Sequence, residues 1–273
     1  MLIATPRRPT ALVVVGQAVD RCDHPSAGAA QHPGAARLAR SQQHGETAAV
    51  TTEPDPRRVV VIGAGPGLGA AVARRFAREG FSVVLVARRA EALEELAAQL
   101  RSAGAEVEVA VADAADADGF RAALEAVARR TPAGVVVYNV GLVAADQLLA
   151  SSPRYLLDAL AVDVVGAVSA AQVFTPAMRG AGAGTLLVTG GGPGLVPDPE
   201  HASLTLGKSA LRSAVTVLHD QLAPEGVHVA SVTVVGVIAP GTDLDPDLLA
   251  ERYWALHTEP AGAWSTDVVV RGS

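Results

Sequence analysis

From residue 58 onward, short hydrophobic runs alternate with segments in which apolar residues recur every three to four positions. The runs are rich in Val, Ile and Leu and have the length of strands buried on both faces of a parallel sheet. In the segment from residue 90 to residue 102, Leu93, Leu96 and Leu100 share one helical stripe. The pattern predicts strands at 59–63, 81–87, 107–112, 134–138, 184–189, 227–235 and 267–270, and helices at 70–80, 90–102, 119–130, 153–178, 201–223 and within 243–264.

The regular alternation of strands and helices predicts a single α/β domain over residues 58–273. Right-handed crossovers between parallel strands place helices on both faces of a sheet. Seven such strands therefore predict a doubly wound parallel sheet of the Rossmann type, with about seven strands and helices on both faces.

Residues 1–57 follow a different pattern from the rest of the chain. Pro, Gly, Ala, Arg, His and Gln dominate this segment and no strand or helix period persists, so we predict a disordered N-terminal extension. Its apolar residues gather only at 11–15, a run too short for a secretory signal and without a small-residue cleavage site after it. A later translation start at Val50 is a second interpretation, which N-terminal sequencing that finds Met1 would contradict.

The composition argues against several classes of function. The net charge is −6 without a basic cluster, which disfavours a nucleic-acid partner, and no apolar run in the sequence approaches the length of a membrane span. The single cysteine, Cys22, excludes an intramolecular disulfide and a cysteine-based metal cluster, and no metal site is predicted. These features predict a cytoplasmic protein with neither nucleic acid nor membrane as its partner.

A glycine-rich turn links the first predicted strand to the first predicted helix. Gly63, Gly65, Gly67 and Gly69, with Leu68 among them, allow positive φ and leave no Cβ between the backbone and a ligand. The helix that follows directs free N–H groups at an anion, which is how dinucleotide sites hold a pyrophosphate. The strand before the turn and the helix after it predict a nucleotide-binding site.

Polar residues after the later strands extend this predicted site. Arg88 and Arg89 follow the second strand, where arginine recognises the 2′-phosphate of NADP and an acidic residue would favour NAD. Their alternative role is a solvated pair that opens a helix. The composition also singles out two residues: 21 of the 22 basic residues are arginine, so Lys208 is the only lysine, and Asn139 is the only asparagine.

Together these motifs resemble the short-chain dehydrogenase/reductase family over essentially all of residues 58–273. The glycine motif of the family, TGxxxGxG, is matched by Ile62 and Gly63 with Gly67 and Gly69, although Ile62 replaces the threonine. The resemblance implies hydride transfer between a nicotinamide cofactor and a carbonyl or alcohol carbon. It implies NADP(H) as the preferred cofactor on the charge of the arginine pair, with NAD(H) as the second possibility.

The resemblance also assigns residues beside the cofactor. Asp113, after the third strand, takes the position that contacts the adenine ring. Asn139 and Gly141 are retained from the family's Asn-Asn-Ala-Gly motif, in which Asn139 either braces the strands or touches the ligand. Members of the family pair through the helices that correspond to 153–178 and 201–223, which implies a homodimer or homotetramer.

Only one of the family's four catalytic positions is retained. Lys208 matches the lysine that holds the cofactor ribose, whereas Leu204 replaces the proton-donating tyrosine and Gly191 replaces the serine. Asp163 replaces the asparagine; it is either an acid whose pKa burial raises or an ion-pair partner of Lys208. His201, seven residues before Lys208, shares its helix face if the helix already begins there, and is otherwise a surface histidine.

Two functions agree with this sequence. The first is an atypical NADP(H)-dependent oxidoreductase that acts on a small carbonyl or alcohol compound, with Lys208, Asp163 and His201 as catalytic candidates. The second is a catalytically inactive NADP(H)-binding sensor or partner protein, because an alkoxide that forms without a proton donor is costly in the transition state. The last predicted helix either walls the substrate pocket or packs on the core, and its residues in question are Tyr253, Trp254, Leu256 and His257.

Overall fold

The computed structural model describes residues 53–272. The first strand, β1 (Asp55–Ile62), begins before the predicted domain start at residue 58. The reason is local pairing: the Asp55 N–H donates to Pro132 O at 2.9 Å, and Asp55 lies opposite Ala133. Most of the predicted N-terminal extension, with the alternative start at Val50, lies outside the described residues.

The strands of the described chain form one parallel sheet of seven strands, as the hydrophobic runs predicted. Its order is β3-β2-β1-β4-β5-β6-β7, so the strand order reverses between β1 and β4. This is a doubly wound sheet of the Rossmann type. The strands after β1 are β2 (Ser82–Ala87), β3 (Val107–Val111), β4 (Ala133–Tyr138), β5 (Gly184–Gly191), β6 (Val227–Val235) and β7 (Asp267–Arg271).

Helices cover both faces of this sheet. The helix predicted at 153–178 is interrupted by a π-helix, Ala161–Val165. The helix predicted from His201 begins at Ala202 instead. The α-helices are α1 (Leu68–Arg78), α2 (Ala90–Ser102), α3 (Ala117–Arg130), α4 (Pro153–Leu160), α5 (Gly166–Ala181), α6 (Ala202–Leu222) and α7 (Pro246–His257).

The central strands are buried on both faces. Successive residues of β1 point to opposite sides, so that Val59 packs in the cluster that contains Phe76 of α1, and Val60 packs in the cluster that contains Phe174 of α5. Full burial of side chains of this kind stabilises the fold by about 1.5–3 kcal/mol each. Burial on both sides explains why these strands are continuous hydrophobic runs rather than alternating patterns.

The last helix, α7, packs on the core and on α1. Tyr253 and Leu256 are buried, and the Trp254 ring lies 5.4 Å from the Phe76 ring and 5.5 Å from the His257 ring. Of the two predicted roles for this segment, packing on the core is therefore the one that the structure shows, and the substrate-pocket wall stays a prediction.

The segment Pro153–Ala181 is a helix long and apolar enough to cross a membrane, judged by length and composition alone. The prediction that no segment approaches this length does not hold for it. In the structure, Ala170, Phe174 and Met178 of this segment pack against one face of the sheet. A helix that covers a sheet passes the same test of length and composition, so the finding is weak evidence for a membrane span.

Candidate functional site

A cavity of about 220 Å³ opens at the carboxyl edge of the sheet, beside the point where the strand order reverses. Ligands of doubly wound sheets bind at such switch points. The lining combines the glycine turn after β1 with residues that follow β2, β3 and β4. It brings together seven of the predicted cofactor residues: Gly63, Gly65, Arg88, Arg89, Asp113, Asn139 and Gly141.

The four glycines of the turn have two different roles. A Cβ on Gly63, whose φ is +87°, would lie 2.2 Å from Asn139 O, and a Cβ on Gly69 would lie 2.2 Å from Gly63 O. Backbone packing therefore requires both of these glycines. Gly65 and Gly67 have no atom within 4 Å of their Cβ positions, so the backbone is open there. Helix α1 has no side-chain N-cap and no acidic residue in its first turn, which leaves its positive end available to an anion.

The two arginines at the end of β2 are exposed and border the same cavity. Within residues 53–272, neither Arg88 nor Arg89 has an ion-pair partner. Asp113, which also lines the cavity, accepts the Ala115 N–H at 3.0 Å. The arginines thus place positive charge where an anionic group of a ligand would be held by charge-assisted hydrogen bonds.

Asn139 braces the strands. Its Nδ2 donates to Gly63 O at 3.0 Å, and its Oδ1 accepts the Thr189 hydroxyl at 2.8 Å. The Thr189 hydroxyl also lies 2.6 Å from the Tyr253 hydroxyl. The amide therefore connects the glycine turn to β5 and α7, which is the bracing role that the sequence left as one of two alternatives.

Lys208 is buried on α6 and directs its ammonium group at the ends of β4 and β5. Nζ donates to Val140 O at 3.2 Å and to Thr189 O at 3.1 Å, and lies 3.9 Å from Asp163 Oδ1. Burial lowers the pKa of Lys208, and the charge of Asp163 opposes this shift. The only lysine of the chain is therefore fixed beside the residues that line the cavity.

Asp163 is fully buried and is the partner of that lysine. Its Oδ1 accepts the Leu142 N–H at 3.0 Å, while its Oδ2 has no hydrogen-bond partner among the described residues. Burial raises the pKa of the Asp163 carboxyl, and Lys208 and the Leu142 N–H act against this rise. Burial thus acts against the charged form of each residue, while the attraction between the two charges stabilises the ammonium and the carboxylate together.

The π-helix presents Asp163 to the lysine. The Tyr138 hydroxyl, at the end of β4, donates to Val162 O at 2.5 Å. Gly166 leaves room for that tyrosine, because a Cβ there would lie 2.2 Å from Tyr138 Oη. A single π turn of this kind is frequent at functional positions of helices.

Two glycines make the space that the pair occupies. A Cβ on Gly207 would lie 2.4 Å from Asp163 Oδ2, and a Cβ on Gly141 would lie 3.1 Å from Lys208 Nζ. Gly207 precedes Lys208 directly on α6, and the sequence reasoning did not single it out. The signal that could have identified Gly207 is a glycine inside a long helix. Glycine there costs about 1 kcal/mol relative to alanine and commonly has a packing reason.

The two replaced catalytic positions lie next to this pair. Leu204 is buried on α6, one turn before Lys208. Gly191 has an extended backbone with φ of −151°, and a Cβ there would lie 3.4 Å from Lys208 Cγ, an ordinary contact distance. The structure therefore has room for a side chain at residue 191, although glycine occupies it.

His201 is placed differently from the prediction that it shares a helix face with Lys208. It is the N-cap residue of α6, with φ of −129° and ψ of 59°, so it precedes the helix. Its Nδ1 lies 2.9 Å from Asp198 Oδ2. The alternative interpretation, a surface histidine at the helix start, is what the structure shows.

A polar cluster beside Leu204 was missed by the sequence reasoning. Asp146 accepts the Ser203 N–H at 2.9 Å and the Tyr155 hydroxyl at 2.8 Å. Burial raises the pKa of Asp146, but these hydrogen bonds outweigh it and hold the pKa below its ordinary value. The cluster ties the segment after β4 to the start of α6, and no spacing in the sequence predicts it.

The fold and these motifs define the short-chain dehydrogenases, a family of oxidoreductases. The family model described as short chain dehydrogenase matches residues 57–250, which is more than half of the chain. This chain belongs to that family.

Similar proteins agree with this classification. An uncharacterized oxidoreductase of Streptomyces coelicolor is 33% identical over 195 residues, which cover 70% of this chain and 74% of the relative. Galactitol 2-dehydrogenase (L-tagatose-forming) of Cereibacter sphaeroides is 31% identical over a segment that covers 66% of this chain and 69% of the relative's chain.

Solved structures show the same fold. A metagenomic short-chain oxidoreductase in complex with NADP has a TM-score of 0.74 and 27% identity, over 81% of this chain and 100% of its own. A short-chain dehydrogenase from Rhodopseudomonas palustris has a TM-score of 0.72 and 28% identity, over 80% of this chain and 99% of its own.

Proposed function

We propose that this protein binds NADP(H) and catalyses hydride transfer between this cofactor and a small carbonyl or alcohol compound. The observation that carries the proposal is the cavity at the switch point, which has an uncapped helix end on one side and two exposed arginines on the other. The NADP complex of the metagenomic relative supports the choice of cofactor.

In this proposal, different residues at the cavity bind different parts of the cofactor. The open backbone at Gly65 and Gly67 and the positive end of α1, which begins at Leu68, would hold the pyrophosphate. Arg88 and Arg89 bind the 2′-phosphate, which NAD(H) lacks, so NADP(H) is the preferred cofactor and NAD(H) the weaker one. Asp113 would contact the adenine, and Gly141, which lines the cavity with Asn139, lies beside Lys208 Nζ.

The proton for the reaction comes from Lys208. When bound, the nicotinamide cofactor supplies hydride to the carbonyl carbon or accepts it from the alcohol carbon. The Lys208 ammonium donates its proton to the carbonyl oxygen as the alcohol forms, and regains a proton from water. Asp163, at 3.9 Å, acts through Lys208 as a positioning residue that stabilises the ammonium form. Leu204 and Gly191 have no proton to give, and His201 is directed at Asp198.

A titration of NADPH and NADH tests the cofactor assignment. Replacing Arg88 and Arg89 together by Ala should weaken NADPH binding at least tenfold, since hydrogen bonds to charged groups contribute about 1.5–3 kcal/mol, and should leave NADH binding unchanged. Arg154→Ala is the matched control, because Arg154 is exposed on α4 and pairs with Asp158. Equal loss of NADH and NADPH binding would contradict a role for these arginines in the 2′-phosphate site.

An inactive NADP(H)-binding sensor or partner protein is the second candidate. The observation that favours it is Leu204 with Gly191, which remove the proton donor and the polarising hydroxyl together. A carbonyl-reduction screen with NADPH separates the two functions. Turnover that falls in Lys208→Ala supports the oxidoreductase, and NADPH binding without turnover of any carbonyl supports the sensor.

The tyrosine and serine hydroxyls that the family has, and that Leu204 and Gly191 replace here, can also be restored by substitution. In Gly191→Ser with Leu204→Tyr, we expect the rate of carbonyl reduction to rise by about 10²-fold or more, the usual contribution of general acid catalysis. Gly191→Ala with Leu204→Phe is the control, since it adds similar volume without the hydroxyls. If the two variants have the same rate, the missing groups do not limit the reaction.

We further propose that the protein is a cytoplasmic homodimer or homotetramer. The support is the exposed apolar surface on the two helices through which the family pairs: Leu157, Val165, Leu206 and Val217 are exposed by 40% or more. Exposed apolar residues gathered on paired helices are typical of subunit contacts.

A further inference from the structure

A second cavity, of about 400 Å³, lies at the opposite edge of the sheet from the cofactor cavity. It is formed where strands begin and helices end: Thr185 is the second residue of β5, His228 is the second residue of β6, and Gly182 follows the end of α5. Cofactor and substrate of a doubly wound sheet bind at the carboxyl edge, so the proposed oxidoreductase function does not use this cavity.

His228 lines this cavity and has an unpaired hydrogen-bond acceptor. The ring is 2% exposed, and Nε2 lies 2.8 Å from Ser265 O. Because a carbonyl oxygen only accepts hydrogen bonds, Nε2 carries the proton, and Nδ1 of the neutral ring is left as an acceptor. Nδ1 is buried and has no partner among the described residues. A buried acceptor without a donor is costly, so this nitrogen favours a ligand that donates a hydrogen bond.

The electrostatic surroundings favour a cation. Helices α5 and α7 end at the cavity, so their negative ends face it, and Glu53 and Glu259 belong to its lining. The Glu259 carboxylate accepts the Ser265 N–H at 2.6 Å and the Ser265 hydroxyl at 2.8 Å, and lies 3.9 Å from His228 Nε2. No arginine or lysine of residues 53–272 lines it. The nearby Arg179 is paired with Glu225 at 2.6 Å. The cavity therefore combines negative charge with hydrogen-bond acceptors. It has no positively charged side chain that would stabilise a bound anion.

An aromatic wall completes the site. The Trp264 ring is stacked on the His228 ring, with centroids 5.1 Å apart and an angle of 1° between the planes. The indole N–H donates to Glu259 O at 3.2 Å, which fixes the ring at the cavity. Aromatic faces attract organic cations, and tryptophan does so best.

From these features we propose that the cavity binds a small organic cation, a primary amine or a guanidinium. An N–H group of the ligand donates to His228 Nδ1, the positive charge faces the Glu259 carboxylate and the ends of α5 and α7, and the carbon part of the ligand lies along Trp264. The site is separate from the cofactor cavity, so the proposal stands independently of the proposed reaction.

Calorimetric titration of the full-length protein tests this proposal. The probes are benzylamine and agmatine, with benzyl alcohol and benzoate as neutral and anionic counterparts. We expect the two cations to bind and to raise the melting temperature, and the other two compounds to do neither. Equal binding of benzyl alcohol, or no binding of either cation, would overturn the proposal.

Variants locate the binding. Ala261 is exposed at the cavity, so Ala261→Trp can enter it without disturbing the core, and should weaken amine binding at least tenfold. Ala261→Ser is the matched control and should bind as the natural protein does. His228→Phe should also lose amine affinity. NADPH affinity, measured on the same samples, should be unchanged in all three variants. Amine binding that persists in Ala261→Trp would exclude this cavity as the site.

Discussion

At the scale of single residues, the feature that sets this chain apart from its family's pattern is the buried pair of Asp163 and Lys208. The pair depends on a third residue, Gly207, whose missing side chain leaves the place for Asp163 Oδ2. The sequence left two roles open for Asp163, an acid or an ion-pair partner of Lys208, because 45 positions separate the two residues (208 − 163) and no local pattern connects them. The spacing of motifs identified both positions, but only their burial shows that they form an interacting pair.

Replacing Gly207 by alanine should destabilise the protein by about 1–3 kcal/mol, the cost of overpacking a filled interior. The new Cβ would lie 2.4 Å from Asp163 Oδ2, so the carboxylate has to move. Urea unfolding measures the change. The control is Gly180→Ala on α5, where no atom lies within 4 Å of the Cβ position and alanine should stabilise the helix by about 0.5–1 kcal/mol.

A double variant shows whether the cost of Gly207→Ala arises from Asp163. In an Asp163→Ala background, Gly207→Ala should cost much less than in the natural protein, because the clashing oxygen is absent. Additive costs in the double variant would contradict the contact between these residues.

At the scale of the elements, α7 shows what a helical pattern in the sequence can predict and what it cannot. The sequence predicted a helix within residues 243–264 and left its role open between a pocket wall and packing on the core, and the structure gives its bounds as Pro246–His257. Trp254 and His257 pack beside Phe76 of α1 and Phe81 before β2, a contact between segments far apart in the chain. An aromatic residue on a helix indicates that its side chain is buried. The element that covers this side chain depends on the crossover connections, which bring distant segments together.

The burial of His257 predicts a dependence of stability on pH. Burial, with a smaller effect of His228, lowers the pKa of His257 from 6.5 to about 4. Between these pH values the unfolded chain takes up a proton that the folded chain refuses, so stability is complete above pH 6.5 and falls as the pH decreases toward 4. We expect a loss of about 2 kcal/mol, from 1.36 kcal/mol per pKa unit reduced for the partial exposure of the ring.

Urea midpoints measured from pH 7 to pH 4 test this expectation. The decrease should be smaller in His257→Asn than in the natural protein. The raised pKa of Asp163 acts in the opposite direction, because its stabilising effect is lost as the pH rises, but it is common to both proteins and cancels in the comparison. The same pH slope in His257→Asn and in the natural protein would show that His257 is not responsible.

At the scale of the whole molecule, the sheet has two edges with different chemistry. The carboxyl edge holds the glycine turn, the arginines and Lys208, and the amino edge holds His228, Glu259 and the ends of helices. The two edges lie at opposite ends of the parallel strands and are separated by the full strand length. A ligand at one edge can therefore be bound without touching a ligand at the other. Each edge can therefore be tested without disturbing the other.

The apolar surface of the paired helices predicts the assembly. Leu157 on α4 is 64% exposed and Val217 on α6 is 53% exposed. Replacing both by Arg should convert the proposed homo-oligomer to a monomer in light scattering with size-exclusion chromatography, because a subunit contact would bury uncompensated charge. Leu248→Arg, on the exposed side of α7, is the control and should leave the mass unchanged. A natural protein that is already monomeric would contradict the proposed assembly.

The amino-acid sequence by itself determined the sheet, the order of strands and helices, and the glycine turn with its arginines. These follow from local periods and from turn residues, and the handedness of crossovers leaves few ways to arrange them. Only the tertiary structure decided that Asp163 lies beside Lys208 against Gly207, that His201 faces Asp198, and that a second cavity exists at the amino edge. The physical reason is that burial and hydrogen-bond partners belong to pairs of residues brought together by distant crossovers, and no single segment encodes them.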